Sequence, residues 1–270
     1  MPSQRVSAII ITYNSASEIE VCLSALLSIQ ADVLAEVVVV DNASEDNTCA
    51  LVAQYRGARL VRHSKNKGFA AGVNTGVAST TGDYVLVLNP DVIITAEAIT
   101  ALTRDLHEDE TFAAVGCQMI YPDGRNQASA RRFPTIAGFV ERALLTNHIA
   151  RRLHISCKCG QWNDFTHNER GISQVDWVLG GCMLIRRLAY NAIGPLDEKY
   201  FLYYEDIDWC YRARLDNWKI GFSSNAQVIH AYKRSSSRLS FTNRLTWVHL
   251  SSVCHFFFKF AAQRGIKTVF

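Results

Sequence analysis

Val6-Ser-Ala-Ile-Ile-Ile-Thr12-Tyr-Asn-Ser15 and, further on, Glu36-Val-Val-Val-Val-Asp41-Asn-Ala-Ser44 are two apolar runs that each stop in a polar cluster. The first predicts a buried strand. The second is β-branched and unbroken, as strands covered on both faces are. Between them Ser17-x-x-Glu20 has the form of a capping box and predicts a helix to about Ile29. The pattern then repeats. Asn42 to Asn47 is a turn and cap for a helix to about Tyr55, Ala58–Arg62 a third strand, and about Gly68–Ser79 a helix of small residues. Tyr84–Leu88 is a fourth strand, broken by Asn89-Pro90-Asp91, and a helix capped by Thr95 follows from about Ala96 to Leu106. Strand–helix alternation of this kind predicts an α/β fold with an open, mostly parallel central sheet flanked by helices. Ligands bind beyond the carboxyl ends of such strands. Thr12–Ser15, Asp41–Ser44 and Asn89–Asp91 all lie there.

Working outward, Ala113–Ile120 reads as a strand, and about Tyr121–Ser173 as long loops and short helices, basic and rich in His and Cys. Val175–Arg186 reads as a strand interrupted by Gly180-Gly181, a bulge or a close approach of backbone to ligand. Glu205 to about Leu215 predicts a helix, and Lys219–Ser223 and Val228–His230 two strand-like pieces. The 270 residues are 49% apolar, enough for one large core, and charged residues at 20% with 15 Gly and 5 Pro exclude a disordered or collagen-like chain. The net charge of +3 divides unevenly: −4 over the first 230 residues and +7 over the rest, with no acidic residue after Asp216. The N-terminus does not read as a secretory signal. The uncharged run Leu245–Phe258 has 14 residues, short of the roughly 20 a spanning helix needs. The 8 cysteines show no regular framework and are expected as free thiols. Cys157-Lys158-Cys159 lacks the second pair of a zinc site.

The chemistry-bearing residues are mostly carboxylates. No GxGxxG or GxxxxGK[ST] motif occurs, so the usual dinucleotide and P-loop sites are not expected. Asp41 and Asp91 close buried strands, where a carboxylate bonds a base or ribose, holds a divalent metal on a diphosphate, or simply caps a helix. Tyr203-Tyr-Glu205-Asp206-Ile-Asp208 places three acids at a helix start. The helix dipole alone favours acids there, but crowded like charges also raise a pKa, which suits a general base. His230 ends a strand and reads either as structural or as part of a metal or diphosphate site.

The following segments, in this order, carry a resemblance: Val6–Asn14, Val38-Val-Val-Asp41-Asn-Ala-Ser44-x-Asp46, Asn66-x-Gly68-Phe-Ala-x-Gly-x-Asn74, Leu88-Asn-Pro-Asp91, Trp177-x-x-Gly180-Gly-Cys-Met-Leu-Ile-Arg186, Gly194-x-x-Asp197 and Phe201-x-x-Tyr-Glu205-Asp206-x-Asp208. Over about residues 5–232 the chain resembles the family 2 glycosyltransferases, in the branch of the bacterial rhamnosyltransferases. The resemblance implies a GT-A fold, a Rossmann-like sheet with a C-terminal helical extension. It implies inverting transfer from a nucleotide-diphospho-sugar donor. Residues 1–108 would form the nucleotide-sugar half, 109–232 the acceptor and catalytic half, and 233–270 a basic, aromatic tail. By position, Asp41 would contact the nucleoside, with Thr12, Tyr13, Asn14, Asn42, Ser44, Asn66, Gly68, Phe69, Asn74 and Asn89 also on the donor side. Asn89-Pro-Asp91 stands where the family carries DxD, with one carboxylate only. Asp91, with His230, would then hold Mg²⁺ or Mn²⁺. Asp206 matches the catalytic base, Glu205 being the second choice or an orienting group. Trp177, Gly180, Gly181 and Asp208 would face the acceptor, or else pack the core and form a bulge.

From Lys233 on, seven cations mix with aromatics: Phe241, Trp247, Phe256, Phe257, Phe258, Phe260 and Phe270. Such a tail either lies on a membrane surface or packs as a helix on the body or on a second copy in a homodimer. Nothing else in the sequence supports nucleic-acid binding. The leading expectation is a cytoplasmic enzyme, peripheral on the plasma membrane in the first case. It would build a surface polysaccharide or lipid-linked glycan, with dTDP-L-rhamnose as donor. The alternatives are another sugar (hexose, galactofuranose or amino sugar) or a non-catalytic nucleotide-sugar-binding scaffold.

Overall fold

A computed structural model of the protein describes residues 5–135, 171–231 and 244–263. The close pair Cys157 and Cys159 and most of the stretch 121–173, expected from the sequence to be loops and short helices, lie outside the described residues; its described ends contain short strands. The strands β1 (Val6–Thr12), β2 (Glu36–Asp41), β3 (Ala58–Arg62) and β4 (Tyr84–Leu88) alternate with the helices α1 (Ile19–Leu27), α2 (Thr48–Val52) and α3 (Phe69–Ala78). There follow β5 (Val92–Ile93), α4 (Ala96–Glu108), β6 (Phe112–Ile120), β7 (Asn126–Gln127), β8 (Ala130–Arg131), β9 (Ile172–Val175), β10 (Trp177–Val178) and β11 (Cys182–Arg186). The last described elements are α5 (Arg187–Ile193), α6 (Glu205–Leu215), β12 (Lys219–His230) and α7 (Arg244–Gln263).

The main sheet runs β3-β2-β1-β4-β11-β6-β12-β5, with β7 on β6 and β9 on β12. β1 to β4 are mutually parallel, and β12 is parallel to β6. β11 enters antiparallel between β4 and β6. The apolar runs are unbroken because both sheet faces are covered. Alternate residues serve opposite layers: Ile9, Ile11, Val38, Val40, Val85 and Val87 pack with α3, α6 and α7. Ala8, Ile10, Val37, Val39, Leu86 and Leu88 pack with α1 and α4. The period of two thus builds two cores from one sheet.

Three local readings are corrected. α1 starts at Ile19 with Glu18 at its N-cap and no side-chain cap bond, so Ser17 does not cap it. The Ser15 carbonyl, accepting from the Glu18 and Ile19 amides at 3.1 and 3.0 Å, makes the first turn instead. Gly180-Gly181 is not a bulge within one strand: β10 pairs β8 in a separate two-stranded sheet, and the glycines turn the chain from there into β11. The two strand-like pieces 219–223 and 228–230 are one strand, β12, with a register shift between Ser223 and Gln227. Thr95 caps α4 as expected, accepting from Ala98 N at 3.3 Å.

The described part of the C-terminal tail is α7, packed on the body. Val253, Phe256 and Phe260 are buried in the layer shared with α3 and α6. Among the described residues no helix is long and apolar enough to cross a membrane.

Candidate active site

Thr12 and Asp41 sit side by side where β1 and β2 end. Asp41 is fully buried. Its Oδ1 accepts from Thr12 Oγ1 at 3.1 Å and Ser44 Oγ at 2.5 Å, and its Oδ2 from Ser44 N at 2.9 Å. Burial by itself would raise this pKa, but the Ser44 and Thr12 bonds outweigh it and hold the carboxyl below its usual value. Ser44 Oγ also accepts from Asn14 N at 2.8 Å, and Asn14 Oδ1 from Glu45 N at 2.9 Å. Asn14 takes a left-handed φ of 52° and Ala43 one of 60° to allow this lacing. Asp41 is therefore the hub that shapes the two loops after β1 and β2, with both oxygens already occupied. Tyr13, 49% exposed, stands at the rim of the same cluster.

Asn42 and Asn74 are braces. Asn42 Nδ2 donates to Gly68 O at 3.1 Å, and its Oδ1 meets His63 Nδ1 at 2.9 Å. Asn74 Oδ1 accepts from Tyr190 OH at 2.7 Å and Leu196 N at 2.9 Å, tying α3 to the segment after α5. In the loop before α3, Asn66 Oδ1 accepts from Gly68 N at 2.9 Å. Gly68 has φ 91° and ψ 174°, a region open in practice to glycine alone. A Cβ there would lie 2.3 Å from the Phe201 carbonyl oxygen. Phe69 N donates to that same oxygen at 3.0 Å. The loop before α3 is thus docked on the loop that leads to the acidic cluster.

Asn89 and Asp91 lie between β4 and β5. Asn89 N donates to Gly181 O at 2.9 Å. Asp91 Oδ1 faces His230 Nε2 at 3.3 Å, because His230 on β12 pairs with Val92 on β5. Gln127 fixes the imidazole. Its Nε2 donates to the His230 carbonyl at 2.7 Å, so its Oε1 is the atom that meets Nδ1 at 2.8 Å. An amide oxygen only accepts, so Nδ1 carries a proton and Nε2 is the ring nitrogen that faces Asp91. A ring nitrogen and a carboxylate oxygen at this distance need a proton or a cation between them. Two adjacent ligands of one divalent ion, each about 2.1 Å from it, stand roughly 3 Å apart. The pair fits a metal on that test. Among the described residues no group of three or more His, Cys, Asp and Glu assembles, so protein ligation would rest on these two.

Tyr203 and Tyr204 precede α6 with φ of 69° and 73°. Two consecutive left-handed aromatics cost about 1–3 kcal/mol each, and such strain persists where packing over-determines it. Here the Tyr204 ring is held edge-on by His249 and Phe256 of α7, at 5.7 and 5.5 Å. The result aims Asp206 at the glycine turn. Its Oδ2 accepts from Gly180 N at 3.0 Å and its Oδ1 from Ile207 N at 2.8 Å. A Cβ on Gly180 would sit 3.3 Å from the Phe69 ring and 3.4 Å from Asp206 Cβ. Glu205 is 5% exposed, and its Oε2 has no hydrogen-bond partner among the described residues. Burial pushes the Glu205 carboxyl well up, and the Asp206 charge pushes it further. Burial raises Asp206 too, against the lowering pull of the Gly180 and Ile207 amides and the Arg131 charge. Of the two, Asp206 carries the Gly180 and Ile207 amide donors that favour a charged carboxylate, while Glu205 Oε2 has no such donor among the described residues.

Two acceptor-side expectations do not match the geometry. Asp208 is fully buried and saturated by Tyr200 OH at 3.1 Å, Arg212 Nε at 2.8 Å and Lys259 Nζ at 2.6 Å. Half a helical turn beyond Asp206, it faces inward and anchors α7. Trp177 is 4% exposed and donates Nε1 to Arg132 O at 2.8 Å, so it packs the core. Gln127, Arg131 and Lys259 were not anticipated. Each acts across more than 50 residues or through a two-residue strand, and no local motif marks them. Arg131 stacks its guanidinium over Trp177 at 5.8 Å.

The site therefore has a laced loop pair, an Asp–His pair and an acidic couple of buried Glu205 and half-buried Asp206, with one glycine turn between the last two, at the carboxyl ends of a mostly parallel sheet. The profile of glycosyl transferase family 2 matches residues 7–172, well over half of the chain. The chain belongs to glycosyl transferase family 2. This family 2 glycosyltransferase is 29% identical over 243 residues to the N-acetylglucosaminyl-diphospho-decaprenol L-rhamnosyltransferase of Mycobacterium tuberculosis, covering 84% of this chain and 76% of that one. It is 26% identical over 186 residues to the rhamnosyltransferase WbbL of Escherichia coli, covering 68% and 63%. Among solved structures, GalNAc-T7 with UDP, GalNAc and Mn²⁺ superposes with a TM-score of 0.67 at 14% identity, over 95% of this chain and 48% of that one. That likeness speaks for the fold, which is GT-A.

Proposed function

We propose that this glycosyltransferase moves a sugar from a nucleotide-diphospho-sugar to a hydroxyl of a surface polysaccharide or lipid-linked glycan by a single inverting displacement. The observation that carries the reading is the Gly180-Gly181 turn. One glycine amide holds Asp206 at 3.0 Å, and the next glycine's carbonyl holds Asn89 at 2.9 Å, two residues from Asp91. Base and candidate metal pair are thereby fixed relative to each other, as a one-step transfer needs. Residues 1–108 supply the donor side and 109–232 the acceptor side.

In this reading Asp206 takes the proton of the acceptor hydroxyl. The acceptor oxygen forms its bond to the anomeric carbon as the bond from that carbon to the diphosphate oxygen breaks, and the nucleoside diphosphate leaves with the bonding pair. Gly180 N–H keeps the Asp206 carboxylate oriented, and the buried, protonated Glu205 leaves a single negative charge at the couple. Asp91 and His230 would hold Mg²⁺ or Mn²⁺, whose positive charge stabilises the departing diphosphate. L-rhamnose from dTDP-L-rhamnose is the sugar favoured by the two rhamnosyltransferase relatives. A lipid-linked diphosphate acceptor is favoured by the name of the mycobacterial one.

The test is thermal stabilisation of the purified protein by a panel of nucleotide-diphospho-sugars, with Mg²⁺ or Mn²⁺ and with EDTA. A donor at about 100 times its Kd adds about 2.7 kcal/mol. dTDP-L-rhamnose is expected to raise Tm with metal present and to do so far less in Asp91→Ala. Stabilisation by no nucleotide-sugar at saturation would refute the transferase reading.

A further inference from the structure

The described helix α7 presents one outward stripe. Arg244, Trp247, Ser251, Cys254, Phe258 and Ala261 are its exposed positions, spaced three and four apart along a helix of 20 residues. Trp247 is 57% and Phe258 77% exposed, the largest exposures among the large apolar side chains of the described residues apart from Leu188. The opposite side is fixed to the body. Val253, Phe256 and Phe260 are buried, Ser252 Oγ donates to Leu202 O at 2.9 Å, and Lys259 Nζ reaches Asp197 at 2.8 Å and Asp208 at 2.6 Å. The stripe is therefore a rigid feature of the folded enzyme. Apolar faces of this kind, with Trp and Phe on a helix free of acids, suit the boundary between headgroups and acyl chains.

Charge decides what covers it. α7 contains no Asp or Glu, and the last 40 residues carry +7 with no acid after Asp216. A second copy placed stripe to stripe would meet the exposed Arg244 with a helix that offers no acid. An anionic lipid surface complements that cation instead. Position agrees with charge: the His249 ring of α7 lies 5.4 Å from Tyr203 and 5.7 Å from Tyr204, the two residues before Glu205 and Asp206.

We propose that the Arg244–Trp247–Phe258 face of α7 docks this enzyme on an anionic membrane surface and sets the rim of the acceptor side against the bilayer. This deepens the lipid-linked acceptor reading by naming where that acceptor is met, but its evidence is independent of it. The test uses the full chain in co-flotation with vesicles of mixed phosphatidylglycerol and phosphatidylcholine, against phosphatidylcholine alone. Wild type is expected to float with the anionic vesicles and to release as salt rises. Trp247→Glu/Phe258→Glu is expected to bind about tenfold or more weaker. Both side chains are mostly exposed, so circular dichroism and donor-induced stabilisation should match wild type. Absence of wild-type flotation would overturn the proposal, and so would equal binding by the double variant. A dimer in light scattering that the double variant splits, without vesicle binding, would assign the face to a second copy. Retained vesicle binding with no transfer to any lipid-linked acceptor would strike the acceptor reading and leave this one standing.

Discussion

Gly68→Ala is a small change with a large expected effect, because the site depends on how closely the loop before α3 approaches the loop before α6. With φ 91° and ψ 174°, the backbone at Gly68 lies where alanine costs about 1–3 kcal/mol. The added Cβ would lie 2.3 Å from the Phe201 oxygen and 2.9 Å from its carbonyl carbon and Cα. All three are backbone atoms, so no rotamer change relieves the overlap. Ordinary contact needs a shift of about 1 Å, and what shifts is the segment that carries Tyr203, Tyr204, Glu205 and Asp206. A misplacement of about 1 Å at a reacting centre costs on the order of 100-fold in rate. Steady-state transfer should fall by about that factor in kcat, with Tm lowered and the far-ultraviolet spectrum unchanged. A folded Gly68→Ala enzyme within about threefold of wild-type kcat would refute the docking argument.

Glu205→Gln should stabilise the protein increasingly as pH rises. A buried carboxyl whose folded pKa is raised contributes fully below its unfolded value, near 4.5, and loses stability as pH climbs toward the folded one. Glutamine escapes that loss, about 1.4 kcal/mol per pH unit, so denaturant midpoints of variant and wild type should coincide near pH 4 and diverge above it. Lys259→Met should cost about 3–5 kcal/mol, because it strips a donor from the fully buried Asp208. The same variant should change acid stability. In wild type burial opposes ionisation of Asp197, but Lys259, the Lys199 amide and His255 hold its pKa down to about 2. The stability so gained is present above the unfolded value near 3.8 and is lost as pH falls toward 2; acid titration of the variant should show that loss reduced.

The parallel half of the fold was legible because each strand there is a local signal. β3 and β4 begin and end where the sequence predicts, since Ala58–Arg62 and Tyr84–Leu88 are bounded by glycine, proline and polar residues. The convergence of Thr12, Asp41 and Asn89–Asp91 follows from topology alone. What escaped is set by distant partners. Asp208 looks like its neighbours Glu205 and Asp206 in sequence, and only Lys259, 51 residues later, shows that it faces inward. Gly180-Gly181 reads as a bulge until β8 claims β10, leaving the glycines to turn between two sheets. Ser17 lost its cap to a backbone carbonyl, a competition that a side-chain motif does not register. Gln127, which orients the His230 ring, belongs to a strand of two residues, too short to show a period.

The central claim is that Asp206 is the base of a one-step transfer. It is tested most directly by Asp206→Asn, measured for transfer and for donor binding on the same preparation. Asparagine keeps the shape but cannot take the hydroxyl proton. Transfer should fall about 10²–10⁴-fold while the donor still binds with metal as in wild type. Transfer near the wild-type rate, with the fold intact, would contradict the assignment and move the base elsewhere in the site.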